Sequence, residues 1–120
     1  MSKYSLSHLS DGTLVRDLTA LVARDRATTA ELLAHLAEVD ARKLYLAAAY
    51  PSMYVWCIAE LGLSADSARK RIHAARVARR YPAIFSMIAD GRLNLSAVVM
   101  LARRMTDEIA EELLAASSRQ

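Results

Sequence analysis

The sequence predicts an all-α protein: a multi-helix bundle of six to eight helices with a long N-terminal helix and a helix-turn-helix-like central unit. Three observations carry this expectation. Hydrophobic residues make up 54% of the 120 positions, with alanine and leucine dominant, and both favour helices. Only 3 glycines and 2 prolines occur, too few to build the turns of a sheet. Apolar residues also recur at spacings of three and four rather than two. A chain of this length suits one domain with its own core, taken as residues 1–120 with 1–9 and 117–120 as loose ends.

The first helix is expected to start at Ser10-Asp11-Gly12-Thr13, with Ser10 as cap and Asp11 favourable near the positive end of the dipole. No glycine or proline follows between Leu14 and Tyr50. Leu14, Leu18, Leu21 and Val22 form one apolar stripe; Leu32, Leu33, Leu36 and Val39 form another at similar helical spacing. Between them, Arg24-Asp25-Arg26-Ala27-Thr28-Thr29 is polar, and Thr28-x-x-Glu31 fits a capping box. Two arrangements are open: one long helix or two helices broken near residue 27. A long helix that its neighbours cannot cover on every side would pair with a second copy, making a homodimer. The alternative is an antiparallel pair within one bundle.

Helix is expected to continue from Asp40 to Tyr50, until Pro51 interrupts it. Ser52 then caps Met53–Leu61, Gly62 ends that helix and Ser64 caps the next, by the usual terminal signals. Tyr81-Pro82 closes the helix begun at Ser64. Ala83–Ala89 is a short apolar helix ended by Asp90-Gly91. Asn94 or Ser96 starts another through Arg104, and Thr106 caps a last one through Ala116.

Charge is distributed unevenly along the chain. The net charge is +3; residues 1–60 sum to −1 and residues 61–120 to +4. Most of the excess sits on one predicted helix. Arg69, Lys70, Arg71, Arg76, Arg79 and Arg80, with His73, lie within twelve positions, and no acid occurs from Ser67 to Ala89. On a helical wheel Ala68, Ile72, Ala75 and Ala78 form a narrow buried stripe. Arg69, Arg76 and Arg80, with His73 beside them, form a separate face, and Lys70, Arg71 and Arg79 flank the stripe. Such a helix presents charge to a phosphate backbone, and double-stranded DNA is the expected partner. About five phosphate contacts would give a log–log salt slope of about −4 to −5. The bland reading is a solvated basic face paired with Glu31, Glu38, Asp40 or the C-terminal acids. No acid lies within the basic helix beyond Asp66 at its start, so i, i+4 compensation from the helix itself is expected to be absent.

Gly62, Leu63, Ser64, Ala68 and Ile72 fit a helix-turn-helix across Tyr54–Arg71. Ile58 and Arg71 depart from it, standing where a small and an apolar residue are usual. Arg69, Lys70 and Arg71, near the helix start, are the side chains placed to reach a groove.

Catalysis finds little support. His8, His35 and His73 are far apart, and none has metal-ligand spacing with Cys57. Cys57 beside Trp56 reads as core, His35 as a hydrogen-bonded or partly exposed structural histidine, and no glycine-rich phosphate loop occurs. No cofactor, metal or small-molecule substrate is expected. A single cysteine fits a reducing compartment. The first residues lack the apolar stretch of a signal peptide, and no apolar run is long enough for a bilayer. A cytoplasmic protein without a membrane partner is the expectation.

Several blocks occur in order: Leu9-Ser10-Asp11, Leu21-Val22-Ala23-Arg24, Ala30-Glu31-Leu32-Leu33-Ala34-His35-Leu36-Ala37-Glu38 and Asp40-Ala41-Arg42-Lys43-Leu44-Tyr45. They are followed by Leu63-Ser64, Ala74-Ala75-Arg76-Val77-Ala78-Arg79-Arg80-Tyr81-Pro82 and Ile88-Ala89-Asp90-Gly91-Arg92-Leu93-Asn94-Leu95-Ser96. Together, over roughly residues 8–116, they resemble the helical domain of unknown function that precedes the HNH nuclease module in many bacterial proteins. The metal-binding histidines and asparagine of that module have no counterpart in this sequence. The resemblance therefore implies a non-catalytic substrate-recognition or assembly domain, either standing alone or as the N-terminal piece of a longer protein. It supplies no catalytic residue. The leading expectation is a DNA-binding domain using the basic helix; the alternative is a protein-interaction or dimerisation module.

Overall fold

A computed structural model describes residues 3–102, all of whose regular structure is helical. The elements are α1 (Asp11–Ala41), α2 (Leu44–Ala47), α3 (Met53–Leu61), α4 (Ala65–Arg80), α5 (Ala83–Ala89) and α6 (Leu95–Ala102). The helix expected from Thr106 to Ala116 lies outside the described residues.

Local chemistry accounts for most helix ends. The Ser10, Ser52 and Ser64 hydroxyls accept from the backbone N–H groups of Thr13, Val55 and Ser67, satisfying donors that the first helical turn leaves free. Of the two candidate caps for the sixth helix, Asn94 serves: its Oδ1 accepts from Ala97 N at 2.7 Å. Gly62 adopts φ +68° at the end of α3 and Gly91 φ +85° after α5, backbone geometry at which a side chain is strained.

α1 runs unbroken for 31 residues; Thr28 and Glu31 sit inside it rather than at a cap. The expected helix from Asp40 to Tyr50 is corrected. α1 stops at Ala41, Lys43 turns left-handed at φ 52°, a single turn of helix follows, and Ala49 is again left-handed at φ 68°. Neither glycine nor proline marks this corner. The reversal returns Tyr45 to the core and lets the Tyr50 hydroxyl donate to Glu60 Oε1 at 2.5 Å, so tertiary packing overrides local propensity here.

α4 is the centre of the molecule, touching α1, α3, α5 and α6, while α1 also lies along α5. Ala68, Ala74, Ala75 and Ala78 are buried in α4 with Ile72. Small side chains on several faces let helices approach closely from more than one direction. Facing them are Ala30, Leu33, Leu36 and Ala37 of α1, Met53 and Cys57 of α3, Ile84 and Ile88 of α5, and Val98 of α6. Among the described residues no buried side chain is polar or charged. The core is therefore held by apolar burial and close contact.

Candidate functional site

α4 carries all seven predicted site residues, and the structure divides them among distinct surroundings. Arg76 makes a bidentate pair with Asp40 of α1, Nε to Oδ2 at 2.8 Å and a second nitrogen to Oδ1 at 3.0 Å. This fork-to-fork geometry is the strong form of the interaction, and it raises the affinity of Arg76 for its proton. Arg79 reaches Glu38 Oε1 at 3.2 Å, and Arg42 holds the other oxygen of Glu38 at 2.7 Å. Hydrogen bonds from Arg42, then Arg79, hold the Glu38 carboxyl below its ordinary range. The expected absence of compensation within the helix is corrected at one position, where Lys70 pairs with Asp66 one turn back, at 3.2 Å. Arg71 is half-buried and donates to Ser67 Oγ at 2.6 Å. Arg69 lies over the Tyr54 ring, 5.7 Å from its centre, and Arg80 over the Tyr81 ring at 5.4 Å.

Arg69, His73, Arg76 and Arg80 nevertheless share one strip. An open cleft of about 540 Å³ is lined by Tyr54, Arg69, Ile72, His73 and Arg76. A second, of about 400 Å³, is lined by His73, Arg76, Val77, Arg80, Tyr81 and Ala102. His73 is exposed and borders both. Lys70 and Arg79 line neither. Arg71 faces a third cleft with Val22, Asp25, Arg26, Leu93 and Leu95 among its walls. The strip can receive an anionic group, but Asp40 already occupies the fork of Arg76 at its centre.

The second candidate surface is on α1. No residue from Asp11 to Thr28 is buried. Leu14, Val15, Leu18, Leu21 and Val22 are 41%, 62%, 60%, 54% and 42% exposed, and successive positions at 100° place all five within a ~120° arc. The burial of α1 begins only at Ala30. At the junction, Arg26 lies across Gly91, where an added Cβ would come within 2.8 Å of the guanidinium. The sequence reading missed this contact; its only sequence sign was a glycine after a short apolar helix.

The remaining chemistry is quiet. Burial raises the Cys57 thiol above its ordinary value, with the Asp40 charge adding to it, opposite to what a reactive thiol needs. His35 Nδ1 sits 2.7 Å from the Glu31 carbonyl of its own helix. No cluster of potential metal ligands occurs among the described residues, and none of their helices is long and apolar enough to cross a membrane. No family model, curated protein or solved structure matches the chain, and the likeness to the helical domain preceding HNH modules rests on its residue blocks alone.

Proposed function

We propose that this chain is a non-catalytic helical association module that works through the N-terminal half of α1. The observation that carries the reading is the apolar face from Leu14 to Val22, exposed on a helix whose other half is packed into the core. An exposed apolar surface of this kind marks an interaction site. The arginines expected to reach a phosphate backbone support the same conclusion. Arg76 and Arg79 are engaged by Asp40 and Glu38, and Lys70 by Asp66. A phosphate would have to displace these carboxylates. The assembly role implied by the HNH-associated resemblance fits this reading.

The test is sedimentation equilibrium of the purified chain beside Leu18→Glu. Association that the substitution abolishes, with helix content unchanged, supports the reading. A monomer at every concentration that binds duplex DNA would overturn it.

A second reading keeps the helix-turn-helix-like α3–α4 unit as a DNA-binding surface. It is favoured by the strip of Arg69, His73 and Arg80 beside Tyr54 and Tyr81. It predicts salt-sensitive binding to a random-sequence duplex between 50 and 300 mM salt, on the order of the phosphate-contact slope. Arg69→Glu/Arg80→Glu would abolish that binding.

A further inference from the structure

We propose that the occupant of the α1 face is a second copy of this chain, lying antiparallel, with the register set by Asp17 and Arg24. The inference rests on the association reading and gives it a partner and a geometry.

The seam follows from the positions. Leu14, Leu18 and Leu21 are spaced four and three apart and continue to Asp25, the alternation of a two-helix seam. Val15 and Val22 form one flank. Asp17 and Arg24 form the other, seven residues apart and hence on the same side. In an antiparallel pair each flank meets the same flank of the partner. Packing Leu18 against the partner's Leu21 then sets Asp17 opposite the partner's Arg24, and Arg24 opposite the partner's Asp17. Sliding by one heptad in either direction opposes Asp17 to the partner's Asp17, or Arg24 to the partner's Arg24. A parallel pair would stack Asp25 on the partner's Asp25 in the seam. In the antiparallel register each Asp25 meets the partner's Leu14 in the outermost layer of the seam, so the two carboxylates are kept apart. Like charges directly opposed are unfavourable, so charge selects one orientation and one register.

Area and charge agree with this arrangement. The five apolar residues expose roughly 450 Å² per copy, or roughly 900 Å² for two, the scale of a weak, concentration-dependent dimer rather than a permanent one. From Asp11 to Arg26 three acids balance three bases, so two copies meet without net repulsion.

Sedimentation equilibrium at low salt tests the register with Asp17→Arg, Arg24→Asp and the double variant. Each single change turns both flanking attractions into repulsions and is expected to weaken the dimer about tenfold. The double change restores the pairing and is expected to return the affinity to near the original. Spin labels at Gly12→Cys and Ala20→Cys test the orientation, Cys57 being buried. In the antiparallel pair the Gly12 labels lie on the order of 20 Å further apart along the axis than the Ala20 labels, at 1.5 Å of rise per residue. A dimer indifferent to the charge changes, or one with equal label distances, overturns this geometry and leaves the association reading standing. A chain that stays monomeric overturns the pairing. If deletion of residues 103–120 then makes it associate, the face is covered by that segment instead.

Discussion

The two halves of α1 are built from the same materials and end in opposite environments. Leu14, Leu18, Leu21 and Val22 form an apolar stripe at helical spacing, as do Leu32, Leu33, Leu36 and Val39. Yet Leu33, Leu36 and Ala37 are in the core, and all of the first set is open to water. The difference lies outside the helix, because α4 and α5 cover only its C-terminal half. A periodic stripe records that a helix has an apolar face, but not which chain covers it.

Leu33 and Leu18 break this comparison most sharply. Leu33→Ala empties a site with no exposed surface and is expected to cost about 2–5 kcal/mol, read from the urea midpoint of the chain. Leu18→Ala, at 60% exposed, is expected to leave the fold's stability within about 0.5 kcal/mol at dilutions where the chain is monomeric. Equal losses at the two sites would mean that the N-terminal half is covered within a single chain.

The boundary between the halves gives the next effect. Gly91→Ala places a Cβ against the Arg26 guanidinium at φ +85°, and about 1–2 kcal/mol of destabilisation is expected. Arg26→Ala/Gly91→Ala removes the clash and retains the backbone strain, so partial recovery in thermal unfolding separates the two causes. Farther along, Arg76→Lys loses the bidentate geometry with Asp40, for about 1 kcal/mol. Arg24→Lys, with no partner on its own body required, is expected to change stability by less than about 0.5 kcal/mol.

The smallest effect is a dependence on pH. Because the folded Glu38 carboxyl titrates below its ordinary value of 4.5, its pairing stabilises the fold above that pH. The contribution is lost as pH falls through the lower, folded value. Urea midpoints should therefore decline on acidification, and Arg42→Gln/Arg79→Gln should flatten the decline. Asp90, lowered by Arg92, acts in the same direction.

The helical class and most helix ends were legible because their causes are local. Serine caps, an asparagine cap, a left-handed glycine and Pro82 act within a turn of the chain. The buried stripe of α4 was equally legible from Ala68, Ile72, Ala75 and Ala78, although Ala74 was missed, since a wheel drawn for one contact face gives no sign of packing from a second direction. The corner at Lys43 was illegible because no residue there demands it. The charge of α4 misled in a related way. Arg76 and Arg79 have no acid nearby in sequence, and their partners, Asp40 and Glu38, lie 36 and 41 residues away. Compensation across a fold leaves no mark on a window of twelve residues.

The unbroken passage of α1 through residue 27 makes the helix a rigid shaft with a defined phase. A partner gripping residues 14–22 also sets the azimuth of the cationic strip on α4, because no joint between them absorbs rotation. Each residue inserted near position 27 would turn one surface against the other by about 100° and lengthen the shaft by about 1.5 Å. Insertions of one to four alanines there would dial that angle through slightly more than a full turn, so any activity needing both surfaces should fail and return with the helical period.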